Sequence, residues 1–437
     1  MGRLDTPTSA PQEPEGVRAS AASSTAVALD RPRLMLAAVI GLTFVMNMIG
    51  RGITETFAVF LLPVEREFGV SRSTVAAVYS LYILVLGMTG PFAGQLVDRL
   101  GIRASYCIGV SVLGSCYVLA GEATAWWQYK VAIGLVSGVG AACLGMVVAS
   151  SLLSRWSTHR LGAVMSVPYA AFGLGVLLLP PLSQLLLDLY GWRMASRILG
   201  LGMLALLPVL LLLPLKRMAQ GSLAWQQSRT VTAASQGQPW TLSRALRTDA
   251  FWGILAAYFF TSVASFSVAP HTVAYLVERG FSPLVSATAF GMAGALAAAG
   301  IVAMGVLSDR IGRTPAATVS YSSTIVGIVC LLLVMQWPSL VLVYGFVLFF
   351  GSMQGARGPI LLAMIATLYR GGNVGSIFGA MSLGMGIGGA LGSWLSGALR
   401  DMTGDYLVSF LVGIASAFAG MACFWLIPSL RRERLSP

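Results

Sequence analysis

Twelve long apolar runs occupy most of this chain of 437 residues. Each is long enough to cross a lipid bilayer as a helix, which takes about 20 predominantly apolar residues. Only 10% of the residues are charged, whereas soluble domains carry about 25%. We therefore predict an all-α membrane protein with spans over 34–62, 74–97, 104–121, 126–153, 162–187, 194–214, 251–277, 283–307, 315–335, 339–369, 373–399 and 405–427.

The polar segments divide these runs into two sets of six. Residues 1–33 are rich in Ala, Ser, Pro and Glu and predict a disordered cytoplasmic tail. An N-terminal six-helix bundle over 34–214 is followed by a cytoplasmic central loop at 215–250. A C-terminal six-helix bundle then covers 251–428, and 429–437 form a second cytoplasmic tail.

The distribution of Lys and Arg predicts which side of the membrane each loop faces. With the N-terminus inside, nineteen of the 28 basic residues lie on the cytoplasmic side and seven on the other. Positive charge accumulates on the cytoplasmic side of membrane proteins, so both termini are predicted to be cytoplasmic. This topology also accounts for the net charge of +12. No basic helix or patch is present to follow phosphates, which excludes a nucleic-acid partner.

A short motif occurs once in each half. The run GQLVDRLG at 94–101 reappears as GVLSDRIG at 305–312, each time at the cytoplasmic end of the second span of its half. Two parallel six-span halves around a midplane site are typical of alternating-access carriers. We predict that the charged residues of both copies act in gating: Asp98, Arg99, Asp309 and Arg310.

At these residues the sequence resembles the major facilitator superfamily, whose G-x-L-x-D-R-x-G-R loop follows helices 2 and 8. The Gly191-Trp192-Arg193 turn before the sixth span fits the same superfamily. The resemblance implies two pseudo-symmetric six-helix bundles, secondary transport driven by gradients without a cofactor, and a multi-pass protein of the bacterial inner (plasma) membrane.

Three further segments resemble the bacterial branch related to monocarboxylate transporters and oxalate/formate exchangers. They are FLLPVEREFG at 60–69, GARGP at 355–359, and His271 with Tyr275 before Glu278. Members of that branch carry anion ligands on the eighth helix or the eleventh. Here 283–307 and 373–399 contain no ionisable residue, so neither lactate nor oxalate can be carried over as the substrate.

An ionisable residue inside a membrane span costs free energy, so its presence indicates a functional or a structural role. On the first span Asn47, Arg51 and Glu55 are spaced four residues apart, which places them on one helix face. We expect that face to line the central cavity, with Asn47 and Arg51 binding substrate and Glu55 carrying a proton. The alternative is an Arg51–Glu55 ion pair that only stabilises the bundle.

In the tenth span Arg357 has no acidic partner on its own helix, and Gln354 lies one turn before it. A guanidinium matches a carboxylate bidentately, so we expect Arg357 to bind an anion with Gln354 donating a hydrogen bond. The alternative is a kink at Gly355, Gly358 and Pro359 whose free carbonyls Arg357 satisfies. With Arg51 and Arg357 as cations, protonation of Glu55 would leave two positive charges and favour an anion.

Two further residues complete the predicted site. Tyr258 belongs to a polar stripe on the seventh span, which we expect to face the cavity and the substrate. The alternative is that this stripe serves only helix packing. His271 lies near the outer end of that span and either relays a proton or packs at the interface.

These residues predict a secondary transporter of a small organic anion, a monocarboxylate by expectation, coupled to H⁺ or to a counter-anion. The protein is expected to be a monomer. The alternatives are a proton-driven exporter of drugs or metabolites and, in another class, a non-transporting solute sensor. No nucleophile–base pair, carboxylate pair or metal-ligand cluster is present in the sequence, so an enzyme is not expected.

Overall fold

The computed structural model describes residues 15–153, 155–156, 161–221, 241–369 and 374–431. Every regular element within these residues is a helix. The helices are Glu15–Glu55, Phe57–Phe68, Arg72–Glu122, Trp126–Tyr129, Lys130–Val136, Ser137–Leu144, Met146–Leu153, Leu161–Leu204, Leu206–Leu212, Leu215–Ala219, Leu242–Ala245, Asp249–Phe266, Ala269–His271, Thr272–Glu278, Pro283–Ile311, Arg313–Val334, Leu340–Phe349, Gly351–Met353, Arg357–Leu368, Val374–Thr403, Leu407–Leu426 and Pro428–Arg431.

Within the described residues, ten helical segments are long and apolar enough to cross a membrane. We number them by the span they form. They are span 1, Leu34–Phe68; span 2, Arg72–Gly90; span 3, Arg99–Glu122; span 4, Trp126–Leu153; spans 5 and 6 together, Val167–Leu212; span 7, Asp249–Glu278; span 8, Pro283–Ser308; span 9, Arg313–Val334; span 11, Ile377–Thr403; and span 12, Leu407–Leu426.

Two features reconcile these ten segments with twelve predicted spans. The segment Val167–Leu212 has a non-helical residue at Gly191, with φ at 76°, so it turns back and supplies both span 5 and span 6. The predicted tenth span is broken into Leu340–Met353 and Arg357–Leu368, which together form span 10. A count of continuous apolar helices therefore gives ten segments, because it joins spans 5 and 6 and leaves out the broken span 10.

The first helix begins earlier than composition indicates. It runs from Glu15, inside the segment for which we predict a disordered tail. Alanine and serine fill much of Ala19–Ala28, and alanine has the highest helix propensity. A polar composition therefore does not exclude a helix that continues directly into a membrane span.

The repeated motif ends the same way in both halves. Gly101 and Gly312, the last residues of the two copies, have φ values of 84° and 89°. Side chains with a Cβ rarely adopt this region, so the glycines permit the sharp reversal into the next span. The motif glycines thus set the geometry of two equivalent cytoplasmic turns.

The two halves meet along spans 2 and 11 and along spans 5 and 8. Glycines on these helices remove the side chains that would separate them. A Cβ on Gly397 would lie 2.8 Å from the Cα of Ser73, and one on Gly291 would lie 2.9 Å from the carbonyl oxygen of Leu177. One on Gly173 would collide with the carbonyl of Gly294. Backbones of the two halves are therefore in direct contact.

Candidate functional site

Span 1 carries a polar face made by Asn47, Arg51 and Glu55. The Nη2 of Arg51 lies 3.4 Å from Oε1 of Glu55, as the spacing of four residues permits. Asn47 is 2% exposed and donates from Nδ2 to the carbonyl of Thr43 over 2.9 Å. Arg51 and Glu55 thus form a pair, whereas Asn47 is bound to its own helix.

Two tyrosines of span 2 complete the surroundings of this pair. Tyr79 donates to Oε2 of Glu55 over 3.0 Å. The hydroxyl of Tyr82 accepts from Nη1 of Arg51 at 3.3 Å and donates to Oγ1 of Thr54 at 3.0 Å. The carboxylate and the guanidinium are both held in fixed positions by neutral donors and acceptors as well as by each other.

Arg51 is the accessible member of the pair. Its side chain is 28% exposed, against 5% for Glu55. The ring of Phe172, from span 5, lies with its centroid 5.1 Å from Cζ of Arg51, which is within the range of a cation–π contact. Arg51 therefore combines a protein-facing side, held by Glu55 and Tyr82, with a side that a ligand can reach.

The structure places Arg357 in different surroundings. Its side chain is 2% exposed, donates from Nη1 to Oγ1 of Thr324 over 3.0 Å, and lies over the ring of Tyr321 at 4.5 Å. Both partners belong to span 9, and its Nε has no hydrogen-bond partner in the described part of the chain. The two arginines therefore do not share neighbours, and the role of Arg357 as an anion ligand stays a prediction.

Arg357 begins the helix that follows the break in span 10. The backbone leaves the helix at Gln354, with φ −68° and ψ 114°, and Gly355 has a φ of 84°. Gln354 is half-buried at this break. The predicted kink is present, but the hydrogen bond that Arg357 donates goes to the hydroxyl of Thr324 rather than to a freed carbonyl.

Tyr258 is buried in span 7 and packs edge-to-face against Phe378, with ring centroids 6.4 Å apart. Phe378 belongs to span 11, so Tyr258 joins two helices of the C-terminal half. Its predicted contact with substrate remains a prediction.

His271 shares no hydrogen-bond partner with Arg51 or Glu55 among the described residues. It is fully buried, with Nε2 3.0 Å from the carbonyl oxygen of Ser393 and Nδ1 3.3 Å from the hydroxyl of Tyr406. A carbonyl only accepts, so Nε2 carries the proton and Nδ1 accepts from Tyr406. Both ring nitrogens of a neutral histidine are thus satisfied within the C-terminal half, and the role of His271 in proton coupling stays a prediction.

Tyr406 connects His271 to a network that joins the two halves. Arg72, at the start of span 2, is 2% exposed and donates from Nη1 to the Tyr406 hydroxyl over 2.5 Å. The same guanidinium donates to Glu278 over 2.7 Å and to Glu65 over 2.6 Å. Burial raises the pKa of Tyr406, so its phenol remains protonated and able to donate to His271.

A second contact lies beside this network. Asp401, near the end of span 11, accepts from the backbone N–H of Arg72 at 3.1 Å and of Ser73 at 2.8 Å. Arg400 donates to Glu278 over 3.1 Å. We call Glu65, Arg72, Glu278, Asp401 and Tyr406 the inter-half network. All lie at the end of the bundle that the distribution of Lys and Arg predicts to be external, and their hydrogen bonds connect the two halves there.

The repeated motif is described in part. Arg99 and Arg310 are exposed at the opposite end of the bundle. The side chains of Asp98 and Asp309 lie outside what the structure describes, so gating by these four residues stays a prediction. The described residues contain no group of three or more His, Cys, Asp or Glu side chains suited to a metal ion.

Sequence reasoning missed Tyr79, Tyr82 and the inter-half network. Arg72 and Glu278 were visible as charges next to span ends, but only as loop residues. Tyr79 and Tyr82 lie three residues apart on an apolar helix, which in hindsight is the spacing that places two side chains on one face. Two hydroxyl groups on that face of an otherwise apolar helix indicate that polar groups of another span lie opposite them.

Comparison with known proteins identifies the family. The sequence model of the Major Facilitator Superfamily matches residues 40–356. The chain belongs to this superfamily. It is therefore a transporter rather than an enzyme, as predicted, and its all-α architecture is the one expected of the superfamily.

Its relatives include several monocarboxylate transporters. Monocarboxylate transporter 13 of Rattus norvegicus is 29% identical over 86% of this chain and 85% of its own length. Monocarboxylate transporter 11 of Homo sapiens is 28% identical over 88% and 81%. An uncharacterized MFS-type transporter of Bacillus subtilis, YcxA, is 24% identical over 90% and 95%. The predicted resemblance to the monocarboxylate branch is confirmed.

Proposed function

We propose that this protein is a secondary active transporter of a small organic monoanion, by expectation a monocarboxylate, and that Arg51 binds the carboxylate. The single observation that carries the proposal is the partly exposed guanidinium of Arg51 beside the buried carboxylate of Glu55. A guanidinium presents two parallel N–H groups to a carboxylate, and it stays charged at every physiological pH.

Competition between Glu55 and the substrate supplies a coupling mechanism. While Glu55 is ionised, it occupies Nη2 of Arg51 at 3.4 Å. Protonation of Glu55 removes that negative charge and leaves Arg51 free for another anion. The proton and the monoanion then bind together, since each stabilises the presence of the other.

The charges of this pair also favour one stoichiometry. One guanidinium and one carboxylate are neutral together, and they stay neutral after one proton and one monoanion are added. Burial of a net charge inside a membrane protein is costly, so the neutral complex is the one that crosses most readily. In the alternative form of this proposal, the substrate is exchanged for a counter-anion. Glu55 would then stay ionised throughout, and no proton would be transported.

The remaining predicted residues have supporting roles in this proposal. Phe172 and Tyr82 flank Arg51 and would contact the organic part of the substrate. Tyr258 and Gln354 would line the opposite wall, contributed by the C-terminal half. Asn47 would fix the helix of Arg51 through its bond to Thr43.

The relatives support the substrate class and the setting. Proteins named monocarboxylate transporters match more than four fifths of this chain. We propose a monomer in the bacterial plasma membrane, with alternating access between two halves and both termini in the cytoplasm. The inter-half network would then close the external end.

Uptake of labelled monocarboxylates into proteoliposomes, with and without a pH gradient, tests the proposal. We expect gradient-driven uptake by wild type, its loss in Arg51→Met, and partial recovery in Arg51→Lys. Glu55→Gln should still exchange one monocarboxylate for another but should no longer accumulate it against a gradient. Arg66→Gln, which replaces an exposed arginine in the last turn of span 1, is the control.

Three results would contradict the proposal. Uptake that persists in Arg51→Met would remove Arg51 as the ligand. If no carboxylate is taken up by folded wild-type protein, a proton-driven exporter becomes the better description, and efflux of amphipathic dyes from the same vesicles would show it. Full pH coupling in Glu55→Gln would exclude Glu55 as the proton carrier.

A further inference from the structure

A groove of about 330 Å³ lies on the side of the bundle where spans 2, 4 and 11 meet. Its walls are nearly all apolar, and neither Arg51 nor Glu55 is among the residues that line it. The residues that line it come from both halves of the protein: Ala77, Ser80, Leu81, Leu84, Lys130, Ala390 and Trp394. A groove on this face of a membrane protein is in contact with lipid.

Lys130 gives the groove a positive charge. Lys130 is exposed and lies in the second turn of span 4, and its side-chain ammonium has no hydrogen-bond or ion-pair partner in the described part of the chain. A lysine near the end of a membrane span extends its ammonium toward the headgroups while its methylene stem stays in apolar surroundings. An uncompensated cation above an apolar groove matches a ligand with an anionic head and an acyl tail.

Ser80 adds an unsatisfied donor inside the same groove. Its hydroxyl is buried, and no partner for it exists among the described residues. A buried hydroxyl without a partner costs free energy, which an acceptor from a ligand would recover. The ester carbonyls of a glycerophospholipid are acceptors of this kind.

The wall of the groove is shaped by an irregular helix. Lys130–Val136 is a π-helical segment of span 4. A Cβ on Gly134 within it would lie 3.1 Å from Cδ2 of Leu81, so span 4 approaches span 2 closely just below Lys130. Trp394 is 45% exposed on the other side of the groove. Tryptophan is enriched at the membrane interface, where its ring contacts lipid headgroups.

We propose that this groove binds one glycerophospholipid with an anionic headgroup, its phosphate on Lys130 and an acyl chain along Leu81, Leu84 and Ala390. Span 2 belongs to the N-terminal half and span 11 to the C-terminal half. The bound lipid therefore contacts both halves. It would stabilise the conformation in which the inter-half network is formed. This site is separate from the proposed substrate site and does not depend on it.

Native mass spectrometry of delipidated full-length protein tests the proposal. The probes are dioleoylphosphatidylglycerol, dioleoylphosphatidylcholine of the same chain length, and inorganic phosphate alone. We expect wild type to retain one phosphatidylglycerol about fivefold more tightly than phosphatidylcholine, the preference that one lysine near an anionic surface provides. Inorganic phosphate should not displace the lipid, because the apolar groove contributes to its binding.

Three variants distinguish the parts of the site. Lys130→Gln should abolish the preference for phosphatidylglycerol and leave binding of phosphatidylcholine unchanged. Ala390→Phe fills the groove and should weaken binding of both lipids. Arg66→Gln, which also removes an exposed arginine from the predicted external end, should behave as wild type.

Three outcomes would overturn the proposal. One is equal retention of the two lipids by wild type. Another is a preference for phosphatidylglycerol that survives in Lys130→Gln, a substitution of an exposed side chain that folding tolerates. The third is competition by inorganic phosphate at the concentration of the lipid, which would make the site one for a free anion.

Discussion

Arg72 of the N-terminal half donates to Glu278 of the C-terminal half over 2.7 Å, although 206 positions separate them in sequence. Tyr406 and Glu65 occupy two further donors of the same buried guanidinium. Arg72 is thus the residue at which spans 2, 7 and 12 and the end of span 1 are joined. If the two halves separate at this end, as the proposed alternating access requires, this bond must break, so its strength would contribute to the conformational equilibrium.

Glu278→Gln should shift the protein toward a state that is open at this end. The change weakens a hydrogen bond between two charged groups, which contributes ~1.5–3 kcal/mol, so we expect about a tenfold rise in the open population. Distances between spin labels at Arg66 and Arg279, measured by pulsed electron paramagnetic resonance, report that population.

Glu67→Gln is the matched control for this change. Glu67 pairs with Arg193 at 3.0 Å, but both residues belong to the N-terminal half and are more exposed. An exposed pair contributes little, ~0–1 kcal/mol, and this one does not cross between halves. An equal shift in both variants would mean that the inter-half network does not control opening.

Tyr82→Phe should raise the KM for the transported anion and leave folding intact. The change removes an acceptor from Arg51 and a donor to Thr54, so the guanidinium loses one of its fixed neighbours. A net hydrogen bond contributes about 1 kcal/mol, which corresponds to about fivefold in KM. Initial uptake rates over a range of substrate concentrations measure it.

Tyr106→Phe is the control for the tyrosine hydroxyl. Tyr106 is fully buried in span 3, and its hydroxyl has no partner among the described residues. Its removal should leave KM unchanged and keep or slightly raise the melting temperature. A similar rise of KM in both variants would show that Tyr82 acts through packing alone.

Arg357→Met should reduce uptake much less than Arg51→Met. Methionine replaces much of the volume of Arg357 within the C-terminal half and removes a buried cation whose Nε has no partner in the described residues. No acidic partner of Arg357 is present among the described residues, so the change leaves no buried carboxylate without its counter-charge. Complete loss of substrate binding in folded Arg357→Met protein would restore Arg357 as an anion ligand.

Gly173→Ala should destabilise the closed arrangement of spans 5 and 8. Its Cβ would collide with the carbonyl oxygen of Gly294 and lie 2.8 Å from Cβ of Ala298. Gly202→Ala is the control, because no atom lies within 4 Å of a Cβ there, and alanine raises helix stability by about 1 kcal/mol. Thermal unfolding in detergent should show opposite changes, and a melting temperature unchanged in Gly173→Ala would contradict the close contact.

Hydropathy predicted the spans well because the bilayer itself imposes their length and apolar character. The spacing of Arg51 and Glu55 likewise predicted a shared face, since contacts four residues apart are fixed by helix geometry. Arg357 shows the limit. Its depth in the membrane was visible in the sequence, but the direction of its side chain toward span 9 depends on how the helices pack.

Ion pairs between distant spans could not be predicted from the sequence for a related reason. Arg72 and Glu278 each lie at a span end, where single charges are common and usually solvated. Nothing local distinguishes a cation that meets an acid from the other half. For His271 the sequence leaves a proton relay and packing at the interface both open, because its position near a span end is visible but its neighbours Ser393 and Tyr406 are not.

The glycine contacts between the halves carry a consequence for sequence variation. Where two backbones are in direct contact, a residue with a side chain does not fit. A second substitution nearby does not relieve the clash, because the atoms it meets belong to the backbone. A survey of all single substitutions should therefore find its least tolerant positions at Gly173, Gly294 and Gly397 as well as at the charged residues. Under the proposed mechanism, we expect substitutions around Arg51 to change substrate preference, whereas substitutions at these glycines should disturb the contact between the halves.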